Sequence, residues 1–298
     1  MDRVLLQPRH QLAHANMSIH PLSAARARLL EHFSVPDSTF GERWALLWDA
    51  GDFLPWDKGT PNPALEDLLE NRKDLLGGSV FVEGESGALP GEKRRKRALV
   101  PGCGRGYDVL LLASYGYDAY GLEISDTAVK LCEEYASEHG KDYPARDESI
   151  GVGKVKFILG DFFKEEWEKE VEGAARFELL YDYTFLSALP PSTRPAWSLR
   201  YSQLLSSSTS GCLICIEYPT YKDPATRGPP FGLPPKVYLG HLSHPGEELP
   251  YDEEGSLLEN QIVGTGSTAS LERIAHWQPE RTHEIGKGTD WVSVWRHI

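Results

Sequence analysis

Several large protein classes are excluded by what this 298-residue chain lacks. No apolar run approaches the roughly 20 residues needed to cross a bilayer, and the best stretch, 212–216, is far too short. Cysteine is scarce. Cys103, Cys132, Cys212 and Cys215 are too few and too unevenly spread to frame a disulfide-built domain of this size. A reducing compartment, the cytoplasm, is therefore expected. Basic residues are outnumbered, 31 Lys and Arg against 44 Asp and Glu, which gives a net charge of −13 and no sequence-wide positive field for phosphate backbones. Neither nucleic acid nor a membrane is an expected partner. The histidines fall without ligand spacing, and Cys212 and Cys215, three apart in a strand-like run, point to opposite faces and cannot clamp zinc together. No metal site is expected.

What is present is ordinary globular composition, with 40% hydrophobic, 10% aromatic and 25% charged residues, which sets aside disorder, collagen and coiled coil. The length allows one large domain or two small ones. Residues 1–38 read as an N-terminal arm, with Arg3, Arg9, Arg26 and Arg28 against Asp2 alone, leading into a helix around 22–33. A mitochondrial presequence would carry the same bias. Residues 39–298 read as one domain, with loop insertions near 77–97, 141–154 and 232–267. Trp44, Leu47, Trp48 and Phe53 recur at helical period, followed by the turn-rich Leu54-Pro55-Trp56-Asp57-Lys58-Gly59 and a helix over 63–76. The basic run 93–97 reads as a nuclear signal or equally as a solvated loop ahead of the first strand.

From Ala98 the pattern turns to strand, tight turn, helix, and it repeats. Strands are expected over 98–101, 119–124, 155–159, 177–182 and 211–218, with helices around 109–112, 125–139, 163–171 and 194–205. Such alternation implies an α/β fold with a doubly wound, mostly parallel sheet. A last strand is expected over 290–296, and 219–266 reads as a long Pro- and Gly-rich loop.

Chemistry concentrates at the strand ends. In Val100-Pro101-Gly102-Cys103-Gly104-Arg105-Gly106 the glycines permit a sharp strand-to-helix turn, and the helix N-terminus offers free N–H donors to a ligand. A dinucleotide fingerprint needs G-x-G-x-x-G, whereas these glycines fall at 102, 104 and 106, which argues against hydride transfer. Glu123 ends the next strand about 20 residues on, where an acid accepts hydrogen bonds from ribose hydroxyls. An N-cap or a solvated strand end would look alike; the glycine turn favours the ribose. Asp161 ends the third strand before Phe162-Phe163, an acid and an aromatic face fit for a nucleobase, although Gly160-Asp161 is also ordinary cap chemistry. Cys103, with no histidine nearby in sequence, reads as a small packed residue.

The glycine turn, the two acids and Tyr181-Asp182-Tyr183 on the fourth strand together resemble the S-adenosylmethionine-dependent methyltransferases. Trp44-x-x-x-Trp48, Pro55-Trp56-Asp57-x-Gly59, ALVPGCGRGYD, GLEIS, GDFF, DYTF with TRPAW, and a later GPPF narrow the likeness to the thiopurine methyltransferase superfamily. Within it the chain is most similar to the plant and fungal halide/thiol (thiocyanate) methyltransferases, over about 42–231 with gaps at 77–97 and 141–154. The resemblance implies a Rossmann-like class I fold with a seven-stranded sheet and an N-terminal helical cap. It also implies S-adenosyl-L-methionine as cofactor and S-adenosyl-L-homocysteine as product. By the same resemblance Trp44, Trp48 and Trp56 face the cofactor, Gly102 meets its methionine part, Glu123 the ribose, Asp161 and Phe162 the adenine, and Asp182 the methionine end. Without the resemblance, tryptophans four apart on a helix would be a core stripe. With it they suit a sulfonium, a permanent cation that electron-rich rings hold while excluding water from the methyl. Tyr183 is assigned the catalytic role of positioning the acceptor, with Arg194 or Arg227 as anion partners.

The function expected is in-line methyl transfer by a monomer to a small-molecule acceptor, a soft nucleophile such as a thiol, or a halide or thiocyanate. Two alternatives stay open. One is an N- or S-methyltransferase of a secondary metabolite, with 219–266 forming a bulkier acceptor pocket. The other is a catalytically inactive cofactor-binding protein.

Overall fold

Five segments line up as parallel strands, the four inner ones largely buried and the edge strand β3 largely not: β1 (Arg97–Pro101), β2 (Asp118–Glu123), β3 (Val155–Leu159), β4 (Leu179–Tyr183) and β5 (Cys212–Glu217). Every residue of β5 is buried, as a strand covered on both faces requires. The computed structural model describes residues 24–81, 94–173, 175–207, 211–262 and 267–298. The expected arm before Ala24 and the middle of the loop near 77–97 lie outside the described residues. The sheet is completed by β6 (Leu271–Trp277) at its edge and β7 (Trp291–His297), which runs antiparallel between β5 and β6. The order is β3-β2-β1-β4-β5-β7-β6, the expected doubly wound sheet. It reverses direction between β1 and β4, and that switch opens a crevice beyond the carboxyl ends of the strands.

Two cores cover the two faces. One contains Cys215, Phe177, Trp197 and Tyr201, the other Cys212, Leu65, Val109 and Leu112, so the two cysteines do lie on opposite sides. Helices α5 (Tyr107–Ser114), α6 (Asp126–His139) and α8 (Arg194–Leu204) make the crossovers. Over the crevice, α1 (Ala24–His32) and α2 (Phe40–Ala50) form the helical cap, where Leu29, Phe33, Phe40 and Leu47 are buried with Trp44, Trp56 and Phe231 against them.

Several local expectations are corrected. β6 was invisible in sequence because an edge strand needs no continuous apolar run: Glu272, Arg273 and His276 interrupt it, and a register shift between Arg273 and Ala275 breaks the alternation. The helix over 163–171 reduces to a 3₁₀ turn, Glu166–Glu170, where only Trp167 is buried and crowded acids do not repay nucleation. The helix over 63–76 breaks at Arg72 into α3 (Pro63–Asn71) and α4 (Lys73–Leu76). The long loop after β5 contains α9 (Pro235–Ser243), begun at a proline-compatible first turn, and its Tyr238 meets Trp197 edge to face at 6.0 Å. Of the basic run, Lys93 lies outside the described residues and Arg94 is exposed, but Arg95 and Lys96 depart from a solvated loop. Arg95 donates to the carbonyls of Gly116, Ile150 and Gly151, and Lys96 is buried as the chain enters β1. No helix of the described residues is long and apolar enough to cross a membrane.

Candidate active site

A cavity of about 960 Å³ lies between the cap and the carboxyl ends of the strands. It takes in eight of the nine residues to which the sequence assigned a cofactor or catalytic role: Trp44, Trp48, Trp56, Gly102, Glu123, Asp161, Phe162 and Tyr183. Asp182 is the exception.

The turn after β1 requires its glycines. Gly102, Gly104 and Gly106 have φ of 58°, 57° and 79°, the left-handed region that side chains disfavour. A Cβ on Gly102 would sit 2.5 Å from Phe185 Cδ2, so the backbone approaches α7 (Phe185–Ala188) as closely as two groups can. The turn is fastened to the cap through Asp57, whose carboxylate receives Arg105 Nε at 2.6 Å and the Tyr107 hydroxyl at 2.8 Å. Sequence reasoning passed over this clasp, since its partners lie some fifty residues apart. It ties the segment that carries Trp56 to the glycine turn, where Trp48 lies against Gly104.

Glu123 is buried at the end of β2 and borders the cavity. Its Oε1 accepts the N–H groups of Ile124 at 2.8 Å and Ser125 at 3.3 Å, while Oε2 accepts only that of Gly104 at 3.2 Å. A carboxylate offers about four acceptor sites, so Oε2 retains capacity for a ligand hydroxyl. Burial pushes this carboxyl above its ordinary range, and the three backbone donors pull it back.

Asp161, after β3, accepts the N–H of Phe163 at 3.0 Å, the cap chemistry weighed in the sequence, yet it still borders the cavity. Phe162 presents a buried ring braced edge-on by Phe185 at 5.2 Å. Arg200 of α8, unnoticed in sequence, holds this loop by donating to the carbonyls of Phe162 and Lys164, both at 3.0 Å, while pairing with Glu168 at 2.7 Å.

The three tryptophans form a box. Trp56 meets Trp44 at 4.9 Å and Trp48 at 5.8 Å, both edge to face, and Trp44 Nε1 donates to the carbonyl of Ala188 at 3.2 Å. Trp48 is buried and Trp44 and Trp56 are half-buried, so the box is both core and cavity wall.

At the end of β4 the expectations divide. Alternate residues of a strand face opposite ways, and Asp182 points into the core, where its carboxylate accepts Trp197 Nε1 at 2.9 Å, the Tyr201 hydroxyl at 3.1 Å and the Leu186 N–H at 3.3 Å. Its side chain is therefore a structural anchor rather than a contact for the methionine end. Burial moves its pKa up to about 6, against the pull of these donors. Tyr183 borders the cavity, but its hydroxyl is buried without a partner among the described residues; the ring stacks on His283 at 5.7 Å. Burial and the nearby Asp290 hold that phenol well above its ordinary pKa, so it is no base. Neither expected anion partner borders the cavity: Arg194 is buried against the Tyr251 ring, and Arg227 reaches only Ser34 at 3.5 Å. Lysines that the sequence did not single out stand there instead: Lys58, Lys222, and Lys164, which lies 3.8 Å from the Asp161 carboxylate. Cys103 packs 4.0 Å from Cys132, and that partner and burial raise its thiol pKa, which removes it as a nucleophile.

A doubly wound sheet with an antiparallel last strand, a glycine turn closing β1 and acids closing β2 and β3 is a Rossmann-like arrangement, and the relatives of this chain place it among the methyltransferases. The thiopurine S-methyltransferase family matches residues 40–278, beyond the expected limit at 231. The chain belongs to that family of methyltransferases. A probable thiol methyltransferase 2 of Arabidopsis thaliana is 31% identical over 261 residues, 87% of this chain and 94% of the relative. Thiocyanate methyltransferase 1 of Brassica oleracea is 30% identical over 82% of this chain and 88% of its own. A thiopurine S-methyltransferase of Pseudomonas aeruginosa is 29% identical over 65% of this chain and 83% of its own.

Proposed function

We propose that this protein methylates the sulfur of a small organic thiol, with S-adenosyl-L-methionine as the methyl donor. The observation that carries the reading is a tryptophan box bordering the same cavity as Glu123 and Asp161. When bound, the donor supplies a methyl group on a positively charged sulfur. Trp44, Trp48 and Trp56 suit that cation through their ring faces and keep water from it. Glu123 Oε2 suits a ribose hydroxyl, and Phe162 with Asp161 an adenine. Gly102 leaves the backbone open to a methionine tail. The Tyr183 ring, rather than its hydroxyl, forms a wall for the acceptor.

These residues act by holding two reactants in line in a dry pocket, an effect worth up to about 7–11 kcal/mol of barrier in favourable cases. No general base is needed. A thiol with a reference pKa near 8.5 is partly ionised at neutral pH, and its sulfur gains the methyl while its proton goes to water. The relatives named for thiol and thiocyanate methylation support sulfur acceptors, and the second name supports soft inorganic anions as a further class. Titration calorimetry against S-adenosylmethionine and against NAD tests the donor assignment. Saturable heat with the former alone is expected; heat with NAD alone would overturn it.

A further inference from the structure

We propose that Lys222 makes the acceptor site selective for organic thiols that also carry a carboxylate. The inference rests on the methyltransferase reading above and deepens it. Charge is unevenly distributed around the cavity. Its carboxylates are Glu123 and Asp161 at the ends of β2 and β3, with Asp37 and Glu42 on the cap. The segment that follows β5 contributes Tyr218, Pro219, Tyr221 and Lys222, and no acid.

Lys222 is held rather than free to swing. Its Nζ donates to the carbonyl of Arg227 at 2.9 Å and to that of Pro230. The segment itself is pinned, with Phe231 N–H on the Ser187 carbonyl at 2.8 Å and Leu233 N–H on that of Pro219 at 3.1 Å. An ammonium has three donors, so one is left over. Among the described residues no carboxylate pairs with Lys222; the charged group acting on it is another cation, Arg26 of α1. Burial and Arg26 together pull its pKa down to about 8. A half-buried cation without a counter-ion is costly, and an anionic ligand group would relieve that cost.

The anion that fits is a single carboxylate rather than a phosphate. One lysine is a point charge, whereas phosphate sites gather arginine forks or several N–H groups. The reacting sulfur must lie by the tryptophan box, so the carboxylate is a separate group of the acceptor. The cavity is near the upper end of the 300–1,000 Å³ typical of ligand sites, which leaves room for an organic body between sulfur and carboxylate. Tyr218, Tyr221 and the prolines at 219, 229 and 230 offer it flat apolar walls.

The test compares 4-mercaptobenzoate with its methyl ester, nearly equal in shape but differing in charge, using the full-length wild type, Lys222→Met and Lys222→Arg. Wild type is expected to prefer the acid at least tenfold in kcat/KM. Lys222→Met should bring that ratio to within about twofold through a raised KM for the acid, and Lys222→Arg should restore most of it. An unchanged ratio in folded Lys222→Met overturns the proposal alone. So does a tenfold rise in the KM for S-adenosylmethionine with the ratio intact, because Lys222 would then serve the donor. Should Lys222→Met not fold, a tenfold preference kept by Lys222→Gln is equally fatal. No methyl transfer to either thiol by wild type would overturn the thiol reading, and this inference with it.

Discussion

Two carboxylates near the ends of neighbouring strands β1 and β2, Asp108 half-buried and Glu123 buried, experience different environments. Glu123 collects three backbone N–H groups, from Gly104, Ile124 and Ser125. Asp108, at the start of α5, collects one, from Asn62 at 2.9 Å, and burial lifts its pKa to about 7. The contrast extends beyond the pair. Where the donor is expected, at the ends of β1 to β3, polar side chains are partnered by the adjacent backbone. Toward the expected acceptor end, at β4 and β5, the Tyr183 hydroxyl is buried without a partner among the described residues, and Lys222 keeps an unused donor. On the proposed reading, the donor side is preorganised by the chain itself, and the acceptor side is left for its ligand to complete.

The sharpest way to break this contrast is through Asp108. Its folded pKa of about 7 stands above the ordinary value of 3.8, so its protonation stabilises the fold fully below about pH 4, and that stabilisation is lost as pH rises through 7. Asp108→Asn should therefore match wild type near pH 4 and exceed it at pH 8, by at most about 4 kcal/mol for a shift of roughly three pK units. Chemical denaturation at the two pH values checks this, and equal stability at pH 8 would mean that Asp108 is better solvated than its burial indicates.

Glu123→Gln should act on binding. Replacing a charged acceptor costs about 1.5–3 kcal/mol, or about 10- to 150-fold in donor affinity by calorimetry. A change below twofold would remove Glu123 from the donor site. Trp56→Ala should cost S-adenosylmethionine about 0.5–2 kcal/mol more than it costs S-adenosylhomocysteine, whose sulfur is neutral, since cation–π attraction to the sulfonium acts only on the former. Equal loss for the two ligands would make Trp56 a packing residue. Tyr183→Phe should change least. It removes a hydroxyl that has no partner, so stability and acceptor KM should stay within about twofold, while Tyr183→Ala, which removes the wall, should raise acceptor KM.

The same contrast explains what could be read from the sequence. The placement of Gly102, Glu123 and Asp161 on the cavity is legible because each sits at a strand end, where a few consecutive residues determine the turn and the cap. The parallel core is legible for a similar reason, since strands such as 212–217 must be apolar throughout. Lys222, Arg200 and the Asp57 clasp are not, because each works through partners brought near only by the tertiary fold. Asp182 misled because adjacency to Tyr183 in sequence places the two side chains on opposite faces of β4. Edge strand β6 left no apolar signature to find.

Transfer of isotopically labelled methyl from S-adenosylmethionine to 4-mercaptobenzoate, followed by mass spectrometry in a single turnover, tests the central claim most directly. The expected result is one labelled thioether and one S-adenosylhomocysteine per enzyme. Saturable binding of the donor with no label in any thiol, iodide or thiocyanate would contradict it and leave a protein that binds the donor without using it.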